Sequence, residues 1–152
     1  MDFIPRVRLH HRRPSWVDLF DPIFITICCK SRSANQLANP KVWSALLRAA
    51  DDLHAQAVWS PRLLVAMPDH VHLICHVPSS PGIGEAIRLF KAKTAISGGV
   101  VWQRGAFDHR IRNNPALDEK VRYVLMNPVR AKLCEVPDAW EFRFKWNADG
   151  KA

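Results

Sequence analysis

Several residue types are scarce in this sequence, and each shortage excludes a class of protein. Tyrosine occurs once, at Tyr123. The cysteines form no C-x-x-C pair and no disulfide-framework spacing, which argues against a disulfide-stapled secreted domain and favours reduced, cytosolic thiols. They are Cys28, Cys29, Cys75 and Cys134. No apolar run is long enough to span a membrane, and the apolar segment 19–29 is broken by Asp21 and Pro22, so we expect no signal peptide.

Acidic residues are also in short supply. Fourteen Asp and Glu face 22 Lys and Arg, which gives a net charge of +8 and a pI near 9.8. This balance favours a polyanionic partner such as nucleic acid, although a solvated basic surface is the simpler alternative. The basic residues gather in the segments 6–13, 88–93 and 104–132.

The chain length predicts one domain. A chain of 152 residues with 48% hydrophobic and 24% charged residues is long enough for one well-packed core and too short for two. We expect an irregular amino-terminal arm over residues 1–20, a domain over 21–147 and a tail over 148–152.

The most informative segment is 67–78, which reads MPDHVHLICHVP and predicts a β-strand. Because side chains alternate along a strand, His70 and His72 lie on one face, about 6.5 Å apart, a spacing that suits two ligands of one metal ion. The opposite face is apolar throughout. Ordinary polar decoration of the strand is the competing interpretation. His76 lies about 13 Å further along the same face, too far to share the metal, so we expect it at the surface or facing DNA.

The remaining pattern alternates strands and helices. Residues 23–29 predict a strand, Asn39 and Pro40 begin a helix that ends near residue 56, and residues 58–67 predict a strand with Pro61 at a bulge or an edge. Pro68 and Asp69 would join that strand to the histidine strand as a hairpin. A second helix runs from residue 83 to a stop at residues 98–99, followed by short extended pieces at 100–102 and 107–111.

A third helix carries the tyrosine. Asn114 is the expected N-cap, with Pro115 at the first helical position, and Pro128 is expected to stop or kink the helix. Tyr123 and Asn127 lie four residues apart and therefore on one face. A lone helical tyrosine is commonly a packing residue. However, the basic residues around this one, Lys120, Arg122 and Arg130, would favour a phenolate and attract a phosphodiester.

Four motifs in this order resemble the REP-associated tyrosine transposases, which belong to the single-tyrosine HUH transposases. They are MPDHVHL at 67–73, WQRG at 102–105, FDHRIR at 107–112 and RYVLMNPVR at 122–130. The resemblance runs from about residue 24 to residue 142. Ala106 departs from it, since the family usually has an aromatic residue there, and so does the amino-terminal lead.

The resemblance implies an α+β fold, a ferredoxin-like antiparallel sheet (βαββαβ) with the HUH motif on a central strand and an added C-terminal helix carrying the tyrosine. It implies that His70, His72 and Asn127 hold Mg²⁺ or Mn²⁺, and that Tyr123 attacks DNA to leave a 5′-phosphotyrosine and a free 3′-hydroxyl. The implied substrate is single-stranded DNA next to a hairpin. The implied protein is a cytoplasmic, bacterial, nucleoid-associated monomer, or a homodimer that exchanges the tyrosine helix.

Basic side chains and one tryptophan are the candidate DNA contacts. They are Arg88, Lys91, Lys93, Trp102, Arg104, Arg110 and Arg112. Trp102 would stack on a base, unless it belongs to the core, and His109 would have a structural role or contact DNA.

Three alternatives to a catalytic transposase remain open. One is a non-catalytic or decayed DNA-binding protein that recognises repeat hairpins. Another is an RNA-binding module, since many of these are also basic ferredoxin-like sheets. The last concerns the metal, and is a zinc site with ligands drawn from Cys28, Cys29, Cys75 and His76.

Overall fold

The computed structural model describes residues 16–17 and 20–147. The predicted tail lies outside these residues, and so does the predicted arm, except for Trp16, Val17 and Phe20. The order of elements is β1 (Ile23–Cys28), α1 (Pro40–Ala55), β2 (Ser60–Ala66), β3 (His70–His76), α2 (Ile83–Gly98), β4 (Phe107–Arg110), α3 (Asn114–Arg130) and β5 (Arg143–Lys145). Within the described ranges, no helix combines the length and the apolar character that crossing a bilayer requires.

The strands form one antiparallel sheet in the order β4-β1-β3-β2-β5. The first four strands have the ferredoxin-like order, so the predicted α+β fold class is confirmed, and β3 lies at the centre. The register between β2 and β3 shifts between Pro61 and Leu63, which confirms the predicted bulge. The three-residue strand β5 adds an edge that the sequence pattern did not predict.

Helices α1 and α2 cover one face of the sheet. Apolar residues from alternate positions of β1 and β3, including Ile25, Ile27 and Leu73, pack against them. Asn39 caps α1 by accepting a hydrogen bond from the backbone N–H of Val42 at 3.0 Å, as predicted. Helix α2 ends at Gly98, and Gly99 adopts the left-handed conformation (φ 70°) that terminates helices.

Helix α3 covers the other face, the one that carries the histidines. Leu117 and Val124 pack there against Phe24 and Ile74. The N-cap is Asn113, whose side chain accepts from the N–H of Ala116 at 2.8 Å.

The predicted N-cap of α3 was therefore wrong, and so was one of the two outcomes predicted for Pro128, that it stops the helix. Asn114 is already helical, because the N-cap Asn113 lies one residue earlier and Pro115 is tolerated anywhere in the first turn. Pro128 does not stop the helix, which continues to Arg130. A proline removes only one backbone donor, and the buried ring of Pro128 lies in the last turn of the helix.

Candidate active site

The two predicted metal-ligating histidines lie side by side on β3. Their ring centroids are 4.7 Å apart, with 77° between the ring planes. The Nδ1 of His70 lies 2.8 Å from Oδ1 of Asp69, and the Nδ1 of His72 lies 2.9 Å from the hydroxyl of Thr26. Both rings are therefore held through Nδ1, so that Nε2 is the nitrogen available for a ligand.

His72 is enclosed by its neighbours and has little contact with solvent. It is 5% exposed, and its ring stacks on Phe24 with centroids 5.2 Å apart. Burial lowers the pKa of His72 to about 3, and repulsion from His70, Lys120 and Arg130 acts in the same direction. The imidazole is thus neutral at physiological pH, which is the form that binds metals.

The expectation that His76 lies at the surface or faces DNA was wrong. Its side chain is 4% exposed, and its Nδ1 lies 3.1 Å from the backbone oxygen of Phe20. Phe20 therefore lies against this end of β3, and Val17 is buried as well. His76 is therefore a packed residue.

Helix α3 brings Tyr123 and Asn127 to the histidine face. Nδ2 of Asn127 lies 3.1 Å from Nε2 of His72. Tyr123 is 46% exposed, and its ring meets Phe24 edge-on with centroids 6.5 Å apart. Phe24 thus touches both His72 and Tyr123, a role that the sequence did not indicate. The available signal was that Phe24 lies two residues from Thr26 in β1 and therefore on the same face of the sheet as the histidines.

Two cations flank the tyrosine. Lys120 Nζ lies 5.0 Å from the centroid of the Tyr123 ring, and Arg130 Cζ lies 4.3 Å from it. Arg130 also donates a hydrogen bond to the backbone oxygen of Tyr123 at 2.6 Å. Two positive charges this close to the ring would stabilise a phenolate and a phosphate next to it.

A groove of about 490 Å³ opens beside Tyr123, between the end of β4 and the first half of α3. Two of the predicted DNA contacts, Arg110 and Arg112, line it together with Lys120. One carboxylate, that of Glu119, also lines it. Among residues 16–17 and 20–147, no acidic side chain forms an ion pair with the three cations. The groove therefore offers unpaired positive charge next to the phenol.

The other predicted DNA contacts lie elsewhere. Arg88 and Lys93 on α2 pair with Glu85 at 2.7 Å and with Asp52 at 3.9 Å. Lys91 donates to two backbone oxygens of the loop before β4, at 2.9 and 2.6 Å. Helix α2 packs on the sheet face opposite the histidines. The structure separates these three side chains from Tyr123, while Arg104 is exposed in the loop before β4.

Trp102 is partly buried against the core. Its indole N–H donates to the hydroxyl of Thr94 at 2.8 Å, and its ring lies 6.2 Å from that of Phe90. These contacts place it against the core of the α1/α2 face. Of the two interpretations that the sequence left open for Trp102, the structure favours the core residue.

The donor set limits which metal sites are feasible. Within the described part of the chain, no three His, Cys, Asp or Glu side chains come together as a metal site. The zinc alternative therefore finds no site there, and Cys29 and Cys75 are buried on the α1/α2 face. Beside His70 and His72, Asn127 is the side chain placed to add a donor.

Comparisons with known proteins agree with the motifs. No family model matches the chain. A Haemophilus influenzae protein provisionally named as a REP-associated tyrosine transposase is 27% identical over 94 residues, and the alignment covers 50% of this chain and 53% of that protein. The chain thus matches about half the length of this curated relative.

Two solved structures share the fold. One is a REP-associated tyrosine transposase bound to a REP hairpin, with a TM-score of 0.73, 20% identity, and coverage of 87% of this chain and 86% of that one. The other is a provisionally assigned transposase from Deinococcus radiodurans R1, with a TM-score of 0.50, 18% identity, and coverage of 70% and 88%. In sequence and in fold, this chain is therefore similar to the REP-associated tyrosine transposases, as its four motifs predict.

Proposed function

We propose that this protein is a DNA transposase that cleaves and rejoins single-stranded DNA near hairpins through its only tyrosine. The observation that carries the proposal is the approach of α3 to β3 within a single chain. Asn127 contacts His72 at 3.1 Å, and Tyr123 lies one helical turn away on the same surface. We take His70, His72, Tyr123 and Asn127, which are spread over 58 positions of the sequence, as one site.

The proposed reaction is a transesterification. The phenol oxygen of Tyr123 bonds to the phosphorus of a DNA diester while the bond from phosphorus to the 3′-oxygen breaks. The phenol gives up its proton, and the departing 3′-oxygen gains one. The products are a 5′-phosphotyrosine and a free 3′-hydroxyl. A second 3′-hydroxyl can reverse the step, so joining requires no nucleotide cofactor.

The side chains around Tyr123 would assist this step. Lys120 and Arg130 flank the ring at 5.0 and 4.3 Å, where their charges would stabilise the phenolate and the charge that develops on the phosphate. Phe24 holds the ring from its edge. The tyrosine belongs to the same chain as the histidines, so a monomer would suffice.

The residues present fit a divalent cation, Mn²⁺ or Mg²⁺. His70 and His72 would bind it through Nε2, and the amide oxygen of Asn127 would bind it after a half-turn of the amide. When bound, the cation would polarise the scissile phosphate. The neutral state of His72 at physiological pH keeps its Nε2 lone pair available for this role.

The groove beside Tyr123 would receive the single strand. Arg110, Arg112 and Lys120 line this groove and would contact phosphates. Arg104 would reach the DNA from its exposed loop. We place the protein in the bacterial cytoplasm, on the nucleoid when it is bound to DNA.

Adduct formation tests the proposal. Purified protein is incubated with end-labelled hairpins that carry single-stranded flanks, with Mn²⁺, with Mg²⁺ or with a chelator, and resolved on a denaturing gel. We expect a metal-dependent protein–DNA band that is lost in Tyr123→Phe and retained in the control Met126→Leu, which changes another exposed side chain of α3. Binding with no adduct, across several hairpins and both metals, would refute the proposal in favour of a non-catalytic DNA-binding protein.

A further inference from the structure

The carboxylate of Asp69, in the turn between β2 and β3, lies between a histidine and an arginine. Its Oδ1 is 2.8 Å from Nδ1 of His70, and its Oδ2 accepts a hydrogen bond from Nε of Arg32 at 2.8 Å. Each carboxylate oxygen therefore has its own partner. Arg32 comes from the loop between β1 and α1, which is 37 residues away in the sequence.

The backbone around this carboxylate is held from the same loop. The N–H of Cys29 donates to the backbone oxygen of Asp69 at 2.8 Å, and the N–H groups of Gln36 and Leu37 donate to that of Pro68 at 2.8 and 3.1 Å. The turn is thus tied to the loop by three backbone hydrogen bonds in addition to the ion pair. These hydrogen bonds fix the position of the Asp69 backbone, and the bond from Arg32 fixes the position of its carboxylate.

The contact with Asp69 determines which nitrogen of His70 carries the proton. An ionised carboxylate only accepts hydrogen bonds, so Nδ1 must be the protonated nitrogen of a neutral His70, and Nε2 keeps its lone pair. The same logic holds for His72, whose Nε2 accepts from the amide of Asn127 while Nδ1 faces the Thr26 hydroxyl. A charged pair therefore orients His70, whereas neutral groups orient His72.

We propose that Arg32 and Asp69 act as a positioning pair, which holds the ring of His70 next to that of His72 with an unprotonated Nε2. This inference deepens the proposed function. It rests on that function for the role of the Nε2 lone pair, which is to bind the metal. Arg32 acts only through Asp69, and Asp69 acts only through the ring of His70. Groups that orient a ligating histidine commonly contribute about 10- to 100-fold to metal affinity.

A purely structural role for the pair makes a different prediction. If Arg32 and Asp69 only fastened the loop to the turn, their removal would lower stability and leave the proton of His70 on Nδ1. A readout at the His70 ring therefore distinguishes the two roles, which loss of activity alone would not.

The test is ¹⁵N NMR of the imidazole nitrogens in metal-free protein, together with Mn²⁺ titration followed by electron paramagnetic resonance. In the wild-type protein we expect His70 to be protonated at Nδ1 only. In Asp69→Ala we expect protonation at Nε2 to appear and Mn²⁺ affinity to fall by about 10- to 100-fold. Asp69→Asn retains an oxygen that accepts from Nδ1 and should largely restore both properties.

Two further variants keep the test decisive. Arg32→Ala removes a side chain that is 51% exposed, so this variant should fold even if Asp69→Ala does not. It should shift the protonation of His70 and lower the Mn²⁺ affinity in the same direction as Asp69→Ala, but by less. Arg88→Ala breaks the exposed pair with Glu85 on α2 and should alter neither readout.

Wild-type protonation and wild-type Mn²⁺ affinity in Asp69→Ala, or in Arg32→Ala if the former does not fold, would overturn the positioning role. If the wild-type protein failed to bind Mn²⁺, the metal part of the proposed function would fail instead, and the NMR comparison would still decide the positioning role.

Discussion

The structure divides the candidate DNA-contacting cations into two groups, and this division can be measured. Arg110 and Arg112 line the groove beside Tyr123, whereas Arg88 and Lys93 lie on α2 and pair with carboxylates. Two double variants, Arg110→Ala with Arg112→Ala and Arg88→Ala with Lys93→Ala, each remove two positive charges. The long-range attraction of the protein for DNA therefore falls by a similar amount in both.

The two double variants should differ in the salt dependence of binding. Each phosphate contact with a single strand contributes about 0.7 to the slope of log affinity against log salt concentration. Loss of Arg110 and Arg112 should therefore reduce the magnitude of this slope by about 1.4. Loss of Arg88 and Lys93 should leave it nearly unchanged, because those charges already have carboxylate partners and lie behind the sheet.

The assay is fluorescence anisotropy with a labelled, unstructured single strand, titrated between about 50 and 200 mM salt. All proteins carry Tyr123→Phe, so that no adduct forms and binding is measured separately from cleavage. An equal loss of slope in both double variants would refute the division. So would an unchanged slope in the groove variant, which would mean that the strand follows another path.

Two further predictions concern the aromatic contact and the thiols. Phe24→Leu removes ring contacts to both His72 and Tyr123, each worth about 0.5–1.5 kcal/mol, so single-turnover cleavage should slow by about tenfold while DNA affinity is retained; unchanged cleavage would contradict this. With a thiol reagent at pH 8, the half-exposed thiols of Cys28 and Cys134 should react rapidly. Cys29 should react only on unfolding, since burial raises its pKa to about 11, and rapid modification of three thiols would contradict this.

Most of the fold could be predicted because local signals agreed with one another. β-Branched and aromatic residues marked β1, alternating apolar residues marked β3, and Asn39 with Pro40 marked the start of α1. The same rule missed the start of α3 by one residue, since Asn113 and Asn114 are both good caps and only the backbone conformation separates them. Strand β5 has three residues, too few to show a period.

The candidate site could be predicted only in part, because several of its contacts depend on strand register. Motifs supplied the histidines, Tyr123 and Asn127. The contact of Thr26 with His72 arises because these residues are direct partners between β1 and β3. Arg32 reaches Asp69 across two loops. Neither contact leaves a local pattern in the sequence, since each depends on how distant segments align.

The packing of α3 explains why Asn127 contacts His72 and why Tyr123 lies on the histidine face of the sheet. Leu117 and Val124 are seven residues apart, or two helical turns, and both are buried against the sheet. Tyr123 and Asn127 flank this stripe, so the packing leaves the phenol half exposed and brings the amide to His72. A shift of one residue along α3 would rotate the helix by about 100° and separate Asn127 from the histidines. The same apolar contacts that stabilise α3 therefore set the geometry of the proposed reaction.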